Sequence, residues 1–172
     1  MIPQAQPLIL TLALDGESFA YFDRLRRLHY PPERNIVPAH LTLFHQLPGD
    51  RAALIKRELT AICQGRTALV LEVTGVRSLG RGVAFSIEAP ALQALRRELA
   101  TEWREWLTPQ DEQRFQPHIT VQNKVGPREA QALHRELAAT FRPFTARGEG
   151  LQLWRYLNGP WEPLKTFKFA RR

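Results

Sequence analysis

A histidine is followed two residues later by a threonine at His40 and Thr42, and again at His118 and Thr120. Residues two apart on a β-strand point to the same face of the sheet, so each imidazole is expected to lie beside a hydroxyl group. An imidazole titrates near neutral pH and suits proton transfer to or from a phosphate or acyl group. Two copies of the pair predict an acid and a base that face each other.

The composition is that of a basic, folded protein. The chain has 172 residues, 44% of them hydrophobic, and a formal net charge of +7. Excess positive charge favours a polyanionic partner such as RNA or DNA. Cys63 is the single cysteine, which excludes a disulfide framework or a cysteine-rich zinc site. No apolar run approaches the ~20 residues of a membrane span, so no membrane contact is expected. We also expect a cytoplasmic monomer.

The apolar pattern predicts strands and helices in alternation along the chain. Strands are predicted at 8–14, 40–47, 67–76, 83–88, 118–125, 148–156 and 163–169. The first predicted helix carries apolar residues at helical spacing, namely Phe19, Phe22, Leu25 and Leu28. The helix that begins at Pro90 places Trp103 and Trp106 in its apolar stripe, and a loop is predicted before the second motif.

The two motifs lie in an internal repeat. An offset of 78 residues places Thr42 on Thr120, and the Arg-Glu-Leu triplet at 57–59 on the same triplet at 135–137. The repeat predicts two β-α-β-α-β units, with a final strand that completes the second. We therefore expect an α+β fold, a single bilobal domain over residues 1–172, with mostly antiparallel sheets, helices on the outer faces and a central cleft that collects both motifs.

Two His-x-Thr motifs about 80 residues apart in a basic chain of this size resemble the 2H phosphoesterase superfamily, in particular its bacterial 2'-5' RNA ligases and RNA 2',3'-cyclic phosphodiesterases. The segments His40 to Leu43 and His118 to Val121 resemble the two family motifs, and residues 153–169 resemble its closing hairpin. The resemblance implies a metal-independent enzyme without a cofactor. It also implies that His40 donates a proton and His118 accepts one, and that both roles are reversed in ligation.

Phosphate contacts are expected from Thr42 and Thr120, whose hydroxyls can donate hydrogen bonds to non-bridging oxygens. The bacterial branch often has an arginine shortly after the second motif, where this chain has Gln122, Asn123 and Lys124. Strand alternation places Lys124 on the face of His118, and it is therefore predicted to bind phosphate. The same alternation places His45 opposite His40, which predicts a structural or surface role for His45. The candidates for base stacking are Tyr30, Phe44, Trp154, Tyr156 and Trp161.

Three other functions remain open at this point. The RNA substrate could be a tRNA. Alternatively, the chain could hydrolyse a small cyclic nucleotide or an ADP-ribose cyclic phosphate in place of an RNA end. It could be an RNA-binding module without turnover, since the usual arginine is absent and the charge is positive. It could also be a structural or partner-binding domain in which both motifs are ordinary strand sequence.

Overall fold

The computed structural model describes residues 5–170, which form a seven-stranded sheet with five α-helices around it. The strands are β1 (Leu8–Leu14), β2 (Leu41–Leu47), β3 (Leu69–Ser78), β4 (Val83–Glu88), β5 (His118–Gln122), β6 (Phe144–Tyr156) and β7 (Trp161–Lys168). The helices are α1 (Gly16–His29), α2 (Ala52–Gln64), α3 (Pro90–Glu102), α4 (Pro109–Glu112) and α5 (Pro127–Thr140).

The order of the strands is symmetric. It runs β2-β1-β6-β3-β4-β5, and all the pairs between these strands are antiparallel. Exchanging β1 with β4, β2 with β5 and β3 with β6 reproduces the same order from the other end. The third strand of each repeat has therefore crossed into the half built by the other repeat. β7 pairs with β6 along Gly150 to Tyr156, beyond the segment of β6 that pairs with β3.

Curling of the sheet brings its two ends together. β2 and β5 are the outermost strands of the order, and yet they contact each other. β2 carries the threonine of the first His-x-Thr motif, and β5 carries the second motif. The expected α+β fold, with antiparallel strands, surrounding helices and a cleft between the motif strands, is confirmed by this architecture.

Local chemistry explains where the helices begin. The Asp15 side chain accepts a hydrogen bond from the backbone N–H of Ser18 at 2.9 Å, which caps α1. Prolines occupy the first positions of α3, α4 and α5. A backbone N–H at this position makes no hydrogen bond within the helix, so proline loses nothing by lacking one. The helix α4 was not expected, because four residues are too few for an apolar period. The Thr108-Pro109 pair, a capping residue followed by proline, is the signal that could have found it.

The apolar stripe predicted for α1 is partly wrong. Phe22 is fully buried, but Phe19 is 38% exposed and Leu28 is 66% exposed. The buried face of α1 instead contains Arg26, which is 3% exposed. Periodicity did not distinguish this arginine from its neighbours, because its hydrogen-bond acceptors lie outside the helix, one of them on β5.

Trp103 is 1% exposed and Trp106 packs against the same core, as the apolar stripe of the third predicted helix indicated. That helix ends at Glu102, and a short 3-10 turn carries Arg104–Trp106. Within residues 5–170, no helix is long and apolar enough to cross a membrane.

Candidate active site

Both motif histidines are held by the same local hydrogen bond. The Nδ1 atom of His40 lies 2.7 Å from the backbone carbonyl oxygen of Pro38, and that of His118 lies 2.9 Å from the carbonyl oxygen of Gln116. A carbonyl oxygen can only accept, so Nδ1 carries the proton in each ring. This leaves the Nε2 atom of each histidine available to give or take a proton.

His40 lies immediately before β2, and His118 is the first residue of β5. The backbone N–H of Ala39 donates to the Asp23 carboxylate of α1 at 3.0 Å, which fixes the entry to the first motif. The ring of His40 also packs against the ring of Trp161, with 4.7 Å between their centroids. The motif histidines are therefore placed by backbone segments that precede each strand as well as by the strands themselves.

A cleft of about 300 Å³ lies between the two motif strands. Its lining combines residues of β2, β3, α3 and β5 with the segment around α4: Thr42, Leu43, His45, Arg77, Arg96, Gln110, Asp111, Gln113, Arg114, Phe115, Gln116 and His118. His40 is not among these lining residues; it immediately precedes β2, two residues before Thr42, and β2 contacts the strand that carries His118. The curled sheet has therefore collected the two predicted histidines at one site.

The pKa of both motif histidines is lowered. Burial is the largest cause for His40 and brings its pKa to about 4, although the Pro38 carbonyl opposes the shift. Burial is also the largest cause for His118, and the charges of Arg77 and His45 add to it against the opposing Gln116 carbonyl. Both imidazoles are therefore neutral at pH 7 in the free protein. A bound phosphate would favour their protonated forms, because its negative charge attracts an imidazolium.

The expected position of His45 is wrong, and the cause is a β-bulge. Pairing with β1 joins Thr11 to Thr42 but Leu10 to Phe44, so one extra residue of β2 is inserted at this point. An extra residue shifts the following side chains to the other face. Leu43 and Phe44 are consequently both buried, and His45 turns to the cleft that Thr42 and His118 also line.

His45 is held by a buried carboxylate that the sequence did not single out. Asp111 of α4 is 1% exposed and accepts hydrogen bonds from the ring Nδ1 of His45 at 3.0 Å and from the backbone N–H groups of His45 and Gln46. Burial raises the pKa of Asp111, but these hydrogen bonds outweigh it, and the net shift is downward. Asp111 is therefore ionised at neutral pH and orients the His45 ring.

Two buried arginines tie the helices to the motif strands. Arg26 of α1 donates to the carbonyl oxygen of Thr120 at 3.0 Å and to the Asn35 side chain at 2.9 Å. Arg96 of α3 donates to the carbonyl oxygens of Leu43 at 3.0 Å and Asp111 at 2.6 Å. Each arginine thus bonds to the motif strand of the other repeat. We call this pair the cross-braces.

The threonines and Lys124 differ in where the structure places them. Thr42 and Thr120 are half-buried, each two residues after its histidine, and Thr42 lines the cleft. Lys124 does not continue the alternation, because β5 ends at Gln122 and Lys124 adopts a left-handed backbone with φ of 62°. Lys124 is exposed in the loop before α5, so its phosphate contact stays a prediction without the support of strand parity.

Of the aromatic candidates, Trp161 is the one in contact with a motif histidine. Tyr30, Phe44 and Trp154 are at most 9% exposed. Arg26 stacks over Tyr30 and Arg96 over Phe44, and the indole of Trp154 donates to Thr11. These three aromatic residues therefore support the structure around the cleft. Tyr156 is half-buried on β6 and pairs with Trp161 across the closing hairpin.

A larger cavity of about 900 Å³ contains no motif residue. It lies where the pairing of β6 changes from β3 to β7. Side chains of both charge signs line it, including Glu72, Glu88, Arg147 and Lys168. Among the residues that the structure describes, no group of three or more His, Cys, Asp or Glu side chains is arranged to hold a metal ion. The cleft between β2 and β5 is therefore the candidate active site.

Sequence comparison identifies the class of protein. A model of the 2'-5' RNA ligase superfamily matches residues 14–160, which include both motifs. The chain therefore belongs to the 2'-5' RNA ligase superfamily, and the resemblance to the 2H phosphoesterases is confirmed. A comparison with curated protein sequences finds no match.

Solved structures with this fold agree over nearly the whole chain. TT0787 from Thermus thermophilus has a TM-score of 0.68 and 20% identity, with 95% of this chain and 97% of that one covered. E. coli LigT in complex with 3'-AMP has a TM-score of 0.64 and 21% identity, with 97% and 99% covered. Other structures of E. coli LigT contain phosphate, ATP or NADP+.

Proposed function

We propose that this protein hydrolyses 2',3'-cyclic phosphate ends of RNA, and that the same site supports a reversible 2'-5' ligation in which a 5'-hydroxyl takes the place of water. The observation that carries the proposal is the pair of imidazoles at facing edge strands, each with its Nδ1 proton bound to a carbonyl oxygen. In-line displacement at phosphorus needs a proton removed on one side and supplied on the other. Two histidines that differ in protonation can do both.

The proposed hydrolysis adds one water molecule. The Nε2 atom of His118 takes a proton from the water as its oxygen bonds to phosphorus. The bond between phosphorus and one ribose oxygen breaks, and His40 donates its Nε2 proton to that oxygen. The product is a phosphomonoester beside a free ribose hydroxyl. His118 acts as the base and His40 as the acid, so the proposed step uses no metal ion.

The threonine hydroxyls stabilise charge that builds on the non-bridging oxygens. Thr42 and Thr120 follow their histidines by two residues, and a hydroxyl can donate one hydrogen bond to an oxyanion. We retain Lys124 as a third phosphate ligand in this proposal, because the loop before α5 is exposed and a lysine side chain is long and flexible. Its contribution is expected to be smaller than that of either threonine.

Two further observations support a nucleotide end as substrate. The net charge of +7 favours a polyanion. E. coli LigT, which shares the fold, has been crystallised with 3'-AMP, a nucleotide that carries its phosphate on the ribose ring. We propose a cytoplasmic monomer that acts on RNA ends, tRNA fragments among them.

The test is hydrolysis of a nucleoside 2',3'-cyclic phosphate and of a short RNA that ends in one, with a chelator present. We expect turnover by the wild type and near-complete loss in His40→Ala and in His118→Ala. His29→Ala is the matched control, because His29 lies on the last turn of α1 and does not line the cleft. Full activity in either motif variant would exclude the two-histidine mechanism.

A small cyclic nucleotide or an ADP-ribose cyclic phosphate is the second candidate substrate. A cleft of about 300 Å³ has the size for one nucleotide, and E. coli LigT has also been crystallised with NADP+. A kcat/KM that is higher for the small compound than for the RNA end would favour this candidate. RNA binding that weakens with salt, without turnover of any cyclic phosphate, would favour a binding module.

A further inference from the structure

A group of basic side chains lines the cleft beside the motif residues. Arg77 projects from β3, Arg114 follows α4, and His45 is turned to the cleft by the bulge in β2. We call these three residues the basic wall. None of them belongs to a His-x-Thr motif, and the mechanism above uses none of them.

The carboxylate in this lining does not neutralise the wall. Asp111 is the acidic residue among the described residues that line the cleft. Its carboxylate is 1% exposed and already accepts three backbone or ring N–H groups, and its backbone carbonyl accepts from Arg96. The side chain of His45 is 46% exposed, so its ring reaches the cleft while Asp111 remains behind it.

The hydrogen bond to Asp111 also fixes what His45 presents. Since Nδ1 donates to Asp111 Oδ1, the Nε2 atom is the one directed away from the carboxylate. In its imidazolium form the ring donates one N–H to Asp111 and the other to a group in the cleft. The buried carboxylate holds the ring orientation, so Nε2 keeps its direction towards the cleft.

Arg77 is the second component of the wall. It is half-buried on β3, and its Nη1 atom lies 3.5 Å from Oε1 of Gln116. Gln116 is also the residue whose carbonyl holds His118. Arg77 therefore lies next to the catalytic histidine, with donors of its guanidinium left for a ligand, and its planar fork matches two oxygens of a phosphate group.

We propose that His45, held by Asp111, and Arg77 form a second anion subsite, which binds another phosphate group carried by the same substrate molecule as the reacting phosphate. This inference rests on the proposed function, since it extends the same cleft. The second phosphate is either a 5'-phosphate on the reacting nucleotide or the phosphodiester that joins it to the preceding nucleotide. Arg114, exposed after α4, adds long-range positive charge to the subsite.

Three substrates distinguish these sources. They are a nucleoside 2',3'-cyclic phosphate with a free 5'-hydroxyl, the same compound with a 5'-phosphate, and a dinucleotide that ends in a cyclic phosphate. The wild type is expected to have a kcat/KM about tenfold higher for at least one of the last two, which is the size of one charge-assisted hydrogen bond in a partly exposed site. The preferred compound identifies the source of the second phosphate.

Variants test whether the named residues supply this preference. In Arg77→Gln and in His45→Ala, the ratio of kcat/KM with and without the second phosphate should fall towards one. Arg57→Gln is the matched control, because Arg57 is exposed on α2 and does not line the cleft, and it should keep the wild-type ratio. The preference should also decrease with added salt, since charge contacts in a partly exposed cleft are screened.

A binding measurement makes the test independent of turnover. Adenosine 3',5'-bisphosphate and 3'-AMP are titrated into the wild type and Arg77→Gln by calorimetry. We expect about tenfold tighter binding of the bisphosphate by the wild type, and equal binding by the variant. Equal binding by the wild type, together with a kcat/KM ratio near one for both phosphorylated substrates, would overturn the subsite while leaving the hydrolysis itself intact. Loss of hydrolysis with retained bisphosphate preference would instead refute the proposed function alone.

Discussion

Arg96, one of the two cross-braces, provides a test of what holds the motif strands in place. It is 8% exposed, donates to the carbonyl oxygens of Leu43 and Asp111, and stacks with its guanidinium carbon 4.0 Å from the ring centroid of Phe44. The change to examine is Arg96→Met. Methionine fills much of the volume of the arginine stem but donates no hydrogen bond.

The expected loss of stability follows from these contacts. Two buried carbonyl groups lose their donors, and each unpaired buried group costs about 1–3 kcal/mol. The stacking on Phe44 adds roughly 1 kcal/mol. The cost of burying a charged guanidinium opposes this loss, because the variant no longer has that cost. The same burial lowers the pKa of Arg96. We expect the free energy of unfolding to fall by about 3 kcal/mol, a large part of the roughly 5–15 kcal/mol of a typical domain.

Urea denaturation at pH 7 measures this change, and the neighbouring residue supplies the control. Arg97 is the same residue type on the same helix but is exposed. Arg97→Met should change the free energy of unfolding by less than about 0.5 kcal/mol, as is usual for surface substitutions. Equal effects in the two variants, or a loss below about 1 kcal/mol in Arg96→Met, would refute the assignment of Arg96 as a structural brace.

Three further predictions concern the candidate site and the core. The pH profile of kcat/KM should have its maximum below pH 6.5, because hydrolysis needs one neutral and one protonated histidine and the pKa of both His40 and His118 is lowered in the free protein; a maximum above pH 7 would contradict this. Trp161→Ala should raise the pKa of His40 from about 4 towards its ordinary value, since the indole ring helps to bury it; NMR titration of the imidazole measures the change, and an unchanged pKa would show that other groups exclude the water. Cys63 is 2% exposed and burial raises its pKa to about 11, so a thiol reagent at pH 8 should react with it at the rate of unfolding, and rapid labelling of the native protein would disprove that burial.

The sequence by itself determined the features that depend on short-range order. The spacing of His40 and Thr42, and of His118 and Thr120, is visible without a structure, and so is the repeat that places one motif in each half. Strand and helix periodicity predicted most elements, with β4 predicted at its observed bounds, Val83–Glu88. The motif spacing and the strand and helix periods are local, because each depends on residues within one turn or one strand, and the repeat is read by comparing two stretches of sequence directly.

Tertiary structure decided the rest of the cleft. Alternation along β2 misplaced His45, since a bulge forms through pairing with β1 and leaves no mark in the residues of β2 alone. Asp111, which orients His45, lies 66 residues further along the chain. Among the three arginines at 24, 26 and 27 of α1, Arg26 is the buried one, and its acceptors are the Asn35 side chain and the carbonyl oxygen of Thr120, 94 residues away. A buried charge needs partners, and the chain supplies them only once the two repeats have folded against each other.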